Sequence, residues 1–208
     1  MALSVKDAWA DVKGRVKNIG DIPAAQQLKQ ASIVNGQIRA EIMISDPSRL
    51  LLSSADTTLT SDNQSFTNPT LFKNMTADGA GIFFVNSDDT LGNQVPKIVE
   101  GSGRSGWFPT STGFTIIGNS GMIVRQKYIP KLADFAADTE NFVVDEEYRE
   151  LVTLGLLVRY YFNKGEFKDI DYQNWNAEYI QALTEFSDDI MRDSGVSSLE
   201  DHSDTYDG

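Results

Sequence analysis

No cysteine occurs in this 208-residue chain, which excludes a disulfide framework, a thiolate metal site and a thiol nucleophile. Its absence suits a reducing compartment. Histidine is nearly as scarce. The one imidazole, His202, lies in an acidic terminal stretch, a poor place for a base that must be held against a nucleophile. Long hydrophobic runs are missing too. The most apolar stretch, 151–162, is too short to cross a bilayer and carries Arg159. The opening residues MALSVKDAWADVKGRVKNIG are amphipathic and lack the apolar core of a signal peptide. A soluble protein not exported by a cleaved leader, with no membrane contact, is expected. Basic clusters are also wanting: 18 Lys and Arg against 30 Asp and Glu leave a net charge of -12 and a pI near 4.4. A protein that grips nucleic-acid phosphates needs the opposite balance.

What is present falls into three textures. Residues 4–44 read as helical. Ser4 and Asp7 have capping-box spacing, and Val5, Ala8, Trp9, Val12, Val16 and Ile19 form an apolar stripe that Gly20 is placed to end. Asp21, Ile22 and Pro23 read as a restart, with Asp as cap and Pro in the first turn. Leu28, Ala31, Ile38 and Ile42 then recur at helical spacing until Ser45, Asp46 and Pro47 stop the pattern. The result is a helical hairpin or a kinked long helix.

Residues 49–130 are rich in Ser, Thr, Asn and Gly and poor in charge. Strands are predicted at 50–54, 57–60, 82–86, 95–100, 114–117 and 122–128, with turns or loops at Asp78-Gly79, Leu91-Gly92-Asn93 and 101–106. In GFTIIGNSGMIVRQKYIP (113–130) the apolar–polar alternation pauses at Gly118-Asn119-Ser120-Gly121 and resumes, which predicts two strands joined by a tight hairpin.

Helix returns near Asp145, with Glu146 and Glu147 at its positive end and Asn163-Lys164-Gly165 as its stop. Leu151, Leu154, Val158, Tyr161 and Phe162 form one face, which Leu156 and Leu157 widen. A helix apolar over most of its circumference is expected to be buried between neighbours, so these five residues are read as a core or inter-subunit face. A last helix, from about Asp171 to Arg192, carries Trp175, Tyr179, Leu183, Phe186 and Ile190 on one stripe. The acidic tail DSGVSSLEDHSDTYDG reads as mobile in the free chain. The fold class expected is α+β, with N- and C-terminal helices (1–48 and 131–192) in one helical bundle layer. An antiparallel β sandwich or barrel-like region (49–130) is inserted between them, and 193–208 is a flexible tail.

The motifs that carry chemistry dissolve on inspection. Gly101-Ser102-Gly103-Arg104-Ser105-Gly106 spells the dinucleotide fingerprint, but Trp107-Phe108-Pro109-Thr110 follows where a helix must begin, so a flexible loop is expected. Asp88-Asp89, Glu146-Glu147 and Asp188-Asp189 are adjacent pairs that point apart, not a catalytic dyad across a cleft. No EF-hand or calcium nonapeptide pattern occurs. Trp107, Phe108 and Tyr128 could make an aromatic sugar platform, although core packing suits them better. No catalytic residue, cofactor or metal is expected.

NGQIRAEI (35–42) ends a helix pair, GFTIIG (113–118) follows a Ser/Thr-rich β region and leads to YIP (128–130), and YRELVTLGLLVRYYF (148–162) and WNAEYIQALTEF (175–186) come after. In this order of parts the chain resembles the head-to-tail adaptor (connector) proteins of tailed bacteriophages, especially the tail-tubular-protein-A-like adaptors of podophages. The resemblance implies a non-enzymatic virion protein of the neck, assembled in the host cytoplasm. The expected form is a homo-oligomeric ring, typically of twelve copies, bound to the portal protein and to a tail tube or nozzle protein, with genomic DNA passing nearby unbound. It further implies a portal-docking tail anchored by Val196, Leu199 and Tyr206. A carbohydrate- or receptor-binding β module of a phage tail is the alternative.

Overall fold

A computed structural model describes residues 2–194 except 17, 18, 21 and 167. The fold is α+β, with helices drawn from both ends of the chain and a β-rich region between them. Two compact units result: one built from residues 1–46 and 133–208, the other from 47–132.

In the first unit, strand β1 (Ala2–Ser4) leads directly into α1 (Val5–Arg15). Ser4 caps that helix: its Oγ accepts from the Asp7 amide at 3.1 Å and donates to the Asp7 carboxylate at 2.6 Å. The predicted stripe buries Val5, Ala8, Trp9 and Val12. The helix stops short of Gly20, however, because Val16 turns to extended backbone (φ -100, ψ 111). Gly14 and β-branched Val16 make the final turn a weak one to propagate. Helix α2 (Ala24–Ser45) follows as a separate helix. Pro23 is its cap position, one residue outside the first turn where it was expected, and the proposed Asp21 cap lies outside the described residues.

Segment 133–145 is clipped to this helix by two buried polar side chains of α2. Ser32 Oγ accepts from the Phe135 amide at 2.9 Å and Asn35 Oδ1 from the Val143 amide at 2.8 Å. They hold strand β11 (Asn141–Asp145), whose antiparallel pairing with β1 is a sheet the sequence pattern did not announce. A 3-10 turn then enters α3 (Arg149–Lys164), ended by Gly165 in the left-handed region at φ 75, as the Asn-Lys-Gly stop predicts. Helix α4 (Ile170–Asp193) runs back antiparallel to α3. Tyr148 meets Phe186 edge-to-face at 4.7 Å, and Tyr179, Phe186 and Ile190 of the predicted stripe are buried.

The second unit holds β2 (Leu52–Ser53), β3 (Thr57–Thr58), β4 (Asn63–Thr67), β5 (Phe72–Asn74), β6 (Gly81–Val85), β7 (Leu91–Gln94), β8 (Gly106–Pro109), β9 (Gly113–Ile117) and β10 (Ile123–Pro130). One sheet runs β2-β10-β6-β7, with β3 and β5 also paired to β10; the other runs β4-β9-β8. All these pairings are antiparallel. Ile82 and Val124 of the first sheet meet Trp107, Phe114 and Ile116 of the second, with Leu59 and Val95, in one apolar core. Phe66 stacks on Phe114 at 5.2 Å.

The predicted β9–β10 hairpin does not form, since β9 and β10 belong to different sheets. The Gly118–Gly121 turn spends its backbone on another segment: Gly118 N donates to Asp62 O (3.0 Å), Ser120 N to Asp62 Oδ1 (2.9 Å) and Gly121 N to Leu59 O (2.7 Å). Nor is 95–100 a strand. It touches β8 through one isolated parallel bridge, Lys97–Trp107, while the preceding residues 91–94 are the strand.

Candidate interaction surfaces

Of the five residues read as a core or inter-subunit face, Leu151, Leu154 and Val158 are buried, Tyr161 is half-buried and Phe162 is 45% exposed with Arg159 over its ring. The inward position near the helix end belongs to Tyr160 instead. The breadth of the apolar surface has a local cause: α3 packs against α1, α2 and α4 of its own chain, so a second subunit is not required to cover it. Gly155 lets the three helices close. A Cβ there would sit 2.8 Å from Val34 on α2 and 2.9 Å from the Tyr179 ring on α4. Burial pushes the Tyr179 phenol well above its ordinary pKa, and its hydroxyl donates to Gln37 Oε1 at 3.2 Å. Two ion pairs tie α1 to α3, Arg15 with Glu150 and Arg149 with Asp11. The docking-tail residues Val196, Leu199 and Tyr206, like His202, lie outside the described residues.

Two of the exposed apolar side chains that the periodicity did not single out stand where α2 and α4 run side by side. Ile44 is 73% exposed and Ile180 57%. A cleft of about 290 Å³ runs between the helices, lined by Glu41, Ile180, Leu183, Thr184, Ser187 and Asp188. Ile44 is three residues beyond Glu41, on the same side of α2. The helices are fastened below by Ser45 and Ser187, whose hydroxyls are 2.6 Å apart. This face therefore offers hydrocarbon edged by two carboxylates. Ile180 escapes a stripe reading because it is one residue past Tyr179, off the buried line of α4.

In the β unit the aromatic residues do not form a platform. Trp107, Phe108 and Tyr128 are all buried, and Trp107 packs edge-to-face on Phe114 at 6.3 Å. That removes the basis for a sugar-stacking site on these three rings. The 101–106 loop enters β8 and not a helix, so it cannot aim a helix terminus at a pyrophosphate. The polar feature of the sheet is Arg125, which donates to Asp56 at 2.6 and 2.9 Å and to Asp89 at 2.6 Å. The Arg125 guanidinium holds the Asp56 carboxyl below the usual carboxylate range, against a smaller desolvation effect, and both carboxylates raise the arginine. A depressed folded-state pKa means that this pair's contribution is complete above the ordinary Asp value and fades as pH falls through the lowered one. In a carbon-detected NMR titration Asp56 should protonate below the usual carboxylate range, and Arg125→Gln should return it toward that range.

Charge is divided unevenly. Residues 47–132 hold seven Lys and Arg against six Asp and Glu, and the remainder of the chain holds eleven against twenty-four. The acidity therefore resides in the helical unit. Among the described residues no cluster of His, Cys, Asp and Glu has metal-holding geometry, and no helix is long and apolar enough to cross a membrane. A scan against protein-family models finds no match for the chain, and a search of curated proteins finds none either.

Proposed function

We propose that the protein works by contact, as a structural adaptor of a tailed-phage neck that forms a homo-oligomeric ring between portal and tail. The observation that carries this reading is the α2/α4 face, where Ile44 and Ile180 stand in solvent beside Glu41 and Asp188. Large apolar side chains held on rigid helices at an acidic rim suit a partner that supplies hydrocarbon flanked by Lys or Arg. The concentration of acid in the helical unit adds reach, since it steers a basic partner and repels passing DNA. The order of elements, which resembles that of podophage adaptors, supports this choice of assembly. The β unit, with its neutral balance and closed aromatic core, serves neighbouring copies or the tail.

The test is assembly with the portal protein of the same particle, followed by light scattering and electron microscopy. Mixed with portal, the wild-type chain should enter a ring-shaped complex. The double variant Ile44→Asp, Ile180→Asp should lose that complex by about tenfold or more in affinity, the effect of removing an apolar anchor, with an unchanged thermal melt. A chain that stays monomeric with every particle component, or a double variant that assembles like wild type, overturns the proposal.

A further inference from the structure

The α2/α4 face calls for a partner with hydrocarbon and positive charge, and the chain itself carries such a surface. It lies at the end of the β5–β10 ladder. Lys131 N donates to Leu71 O, one rung past the Phe72–Pro130 pair, which sets residues 71 and 131 side by side. Phe72 packs on the Tyr128 ring at 5.9 Å, so strand alternation puts Leu71 and Lys73 on the opposite side. Leu71 is 46% exposed, and Leu132, which follows Lys131, is 41% exposed. Lys73 and Lys131 are exposed as well. Neither ammonium forms an ion pair with another described residue, and the same holds for Glu41 and Asp188 at the rim of the α2/α4 cleft.

We infer that the Leu71/Leu132 patch of one copy seats on the α2/α4 face of the next. The inference rests on the reading of that face as a contact surface, and it names what covers it: a second copy of this chain. Two leucines and two ammoniums meet two isoleucines and two carboxylates. That takes hydrocarbon out of water and sets each unpaired charge opposite one of the other sign. Two α2/α4 faces brought together would crowd four carboxylates, so like does not pair with like. Because the joined surfaces differ, the contact is heterologous. Each end of a growing chain of copies keeps one free patch or one free face, and addition continues to a closed ring or a filament.

The chain has no cysteine, so an introduced disulfide can report the contact without background from native thiols. Full-length Leu71→Cys and Ile180→Cys chains are mixed and mildly oxidised, alone and with the portal protein, and the products are separated by size. A Ser102→Cys chain, altered in the exposed 101–106 loop, sets the yield of random collision. The mixed disulfide should exceed that yield and either homodimer by about tenfold, and a chain carrying both substitutions should give a ladder of multimers. Lys73→Glu with Lys131→Glu on the Leu71→Cys chain should cut the mixed product severalfold. Adding Glu41→Lys with Asp188→Lys to the Ile180→Cys chain should restore it, a rescue that damage to either fold would not give. A mixed product at the collision yield, a predominance of Ile180→Cys homodimers, or charge reversal without effect or rescue overturns the inference. Its failure is distinct from that of the adaptor reading. A portal complex that forms without the cross-link assigns the face to portal and sinks only this inference, whereas a cross-linked ladder that never joins portal sinks only the adaptor.

Discussion

Gly113→Ala should cost the β unit of order 3 kcal/mol and lower its melting transition by roughly 10 °C or more. A Cβ at Gly113 would lie 1.8 Å from the Phe66 carbonyl oxygen and 2.9 Å from the Thr67 Cα, so the obstacle is backbone, which no rotamer change can move aside. These atoms belong to β4, whose last rung pairs Thr67 with Gly113 and whose neighbouring rung stacks Phe66 on Phe114. Adding one methyl therefore pushes β4 away from β9 and loosens that aromatic pair as well. Hydrogen exchange should show faster amides at 63–67, with α3 amides as in wild type. An unchanged melt, or exchange that quickens everywhere equally, would contradict this account.

Gly155→Val should destabilise the helical unit by about 2–3 kcal/mol, although valine ordinarily forms helix better than glycine. The contacts of 2.8 Å to Val34 and 2.9 Å to the Tyr179 ring leave no volume for a β-carbon, still less for its two methyls. Tyr179 is itself immobile, being buried and hydrogen-bonded to Gln37. Relief must come from Val34. Val34→Ala opens room on that side, so the double variant should be less destabilised than the sum of the single ones by about 1 kcal/mol, measured by urea unfolding. Strict additivity would show that the helices part in some other way.

These two glycines also mark how far a sequence can be read. The features legible beforehand are those whose cause is local. Ser4 and Asp7 announce a cap, Gly165 announces a stop, and the spacing of Tyr179, Phe186 and Ile190 announces the buried line of α4. The division into terminal helices around a β-rich middle follows from composition alone. What escaped reading has a distant partner. Strands NQSFT, FKN, LGNQ and GWFP contain a single β-branched residue among them and are strands because of what they pair with. The turn at Gly118–Gly121 looks like a hairpin until Leu59 and Asp62 take its amides. The interaction face was hidden for the opposite reason. Ile44 and Ile180 break a pattern, and periodicity counts the residues that keep one.

Strand β10 hydrogen-bonds to β2, β3, β5 and β6, and for β2, β3 and β5 it is the strand partner each of them has. Its position late in the unit has a consequence for biosynthesis. As the polypeptide leaves the ribosome, β2, β3 and β5 emerge with no strand to pair against until residues 123–130 follow, whereas β6 already has β7. Likewise α1 and α2 must wait for α3. The β unit can therefore close once residue 130 has emerged, while the helical unit waits for α3 and α4 at 149–193, so the inserted unit is complete before the one that flanks it.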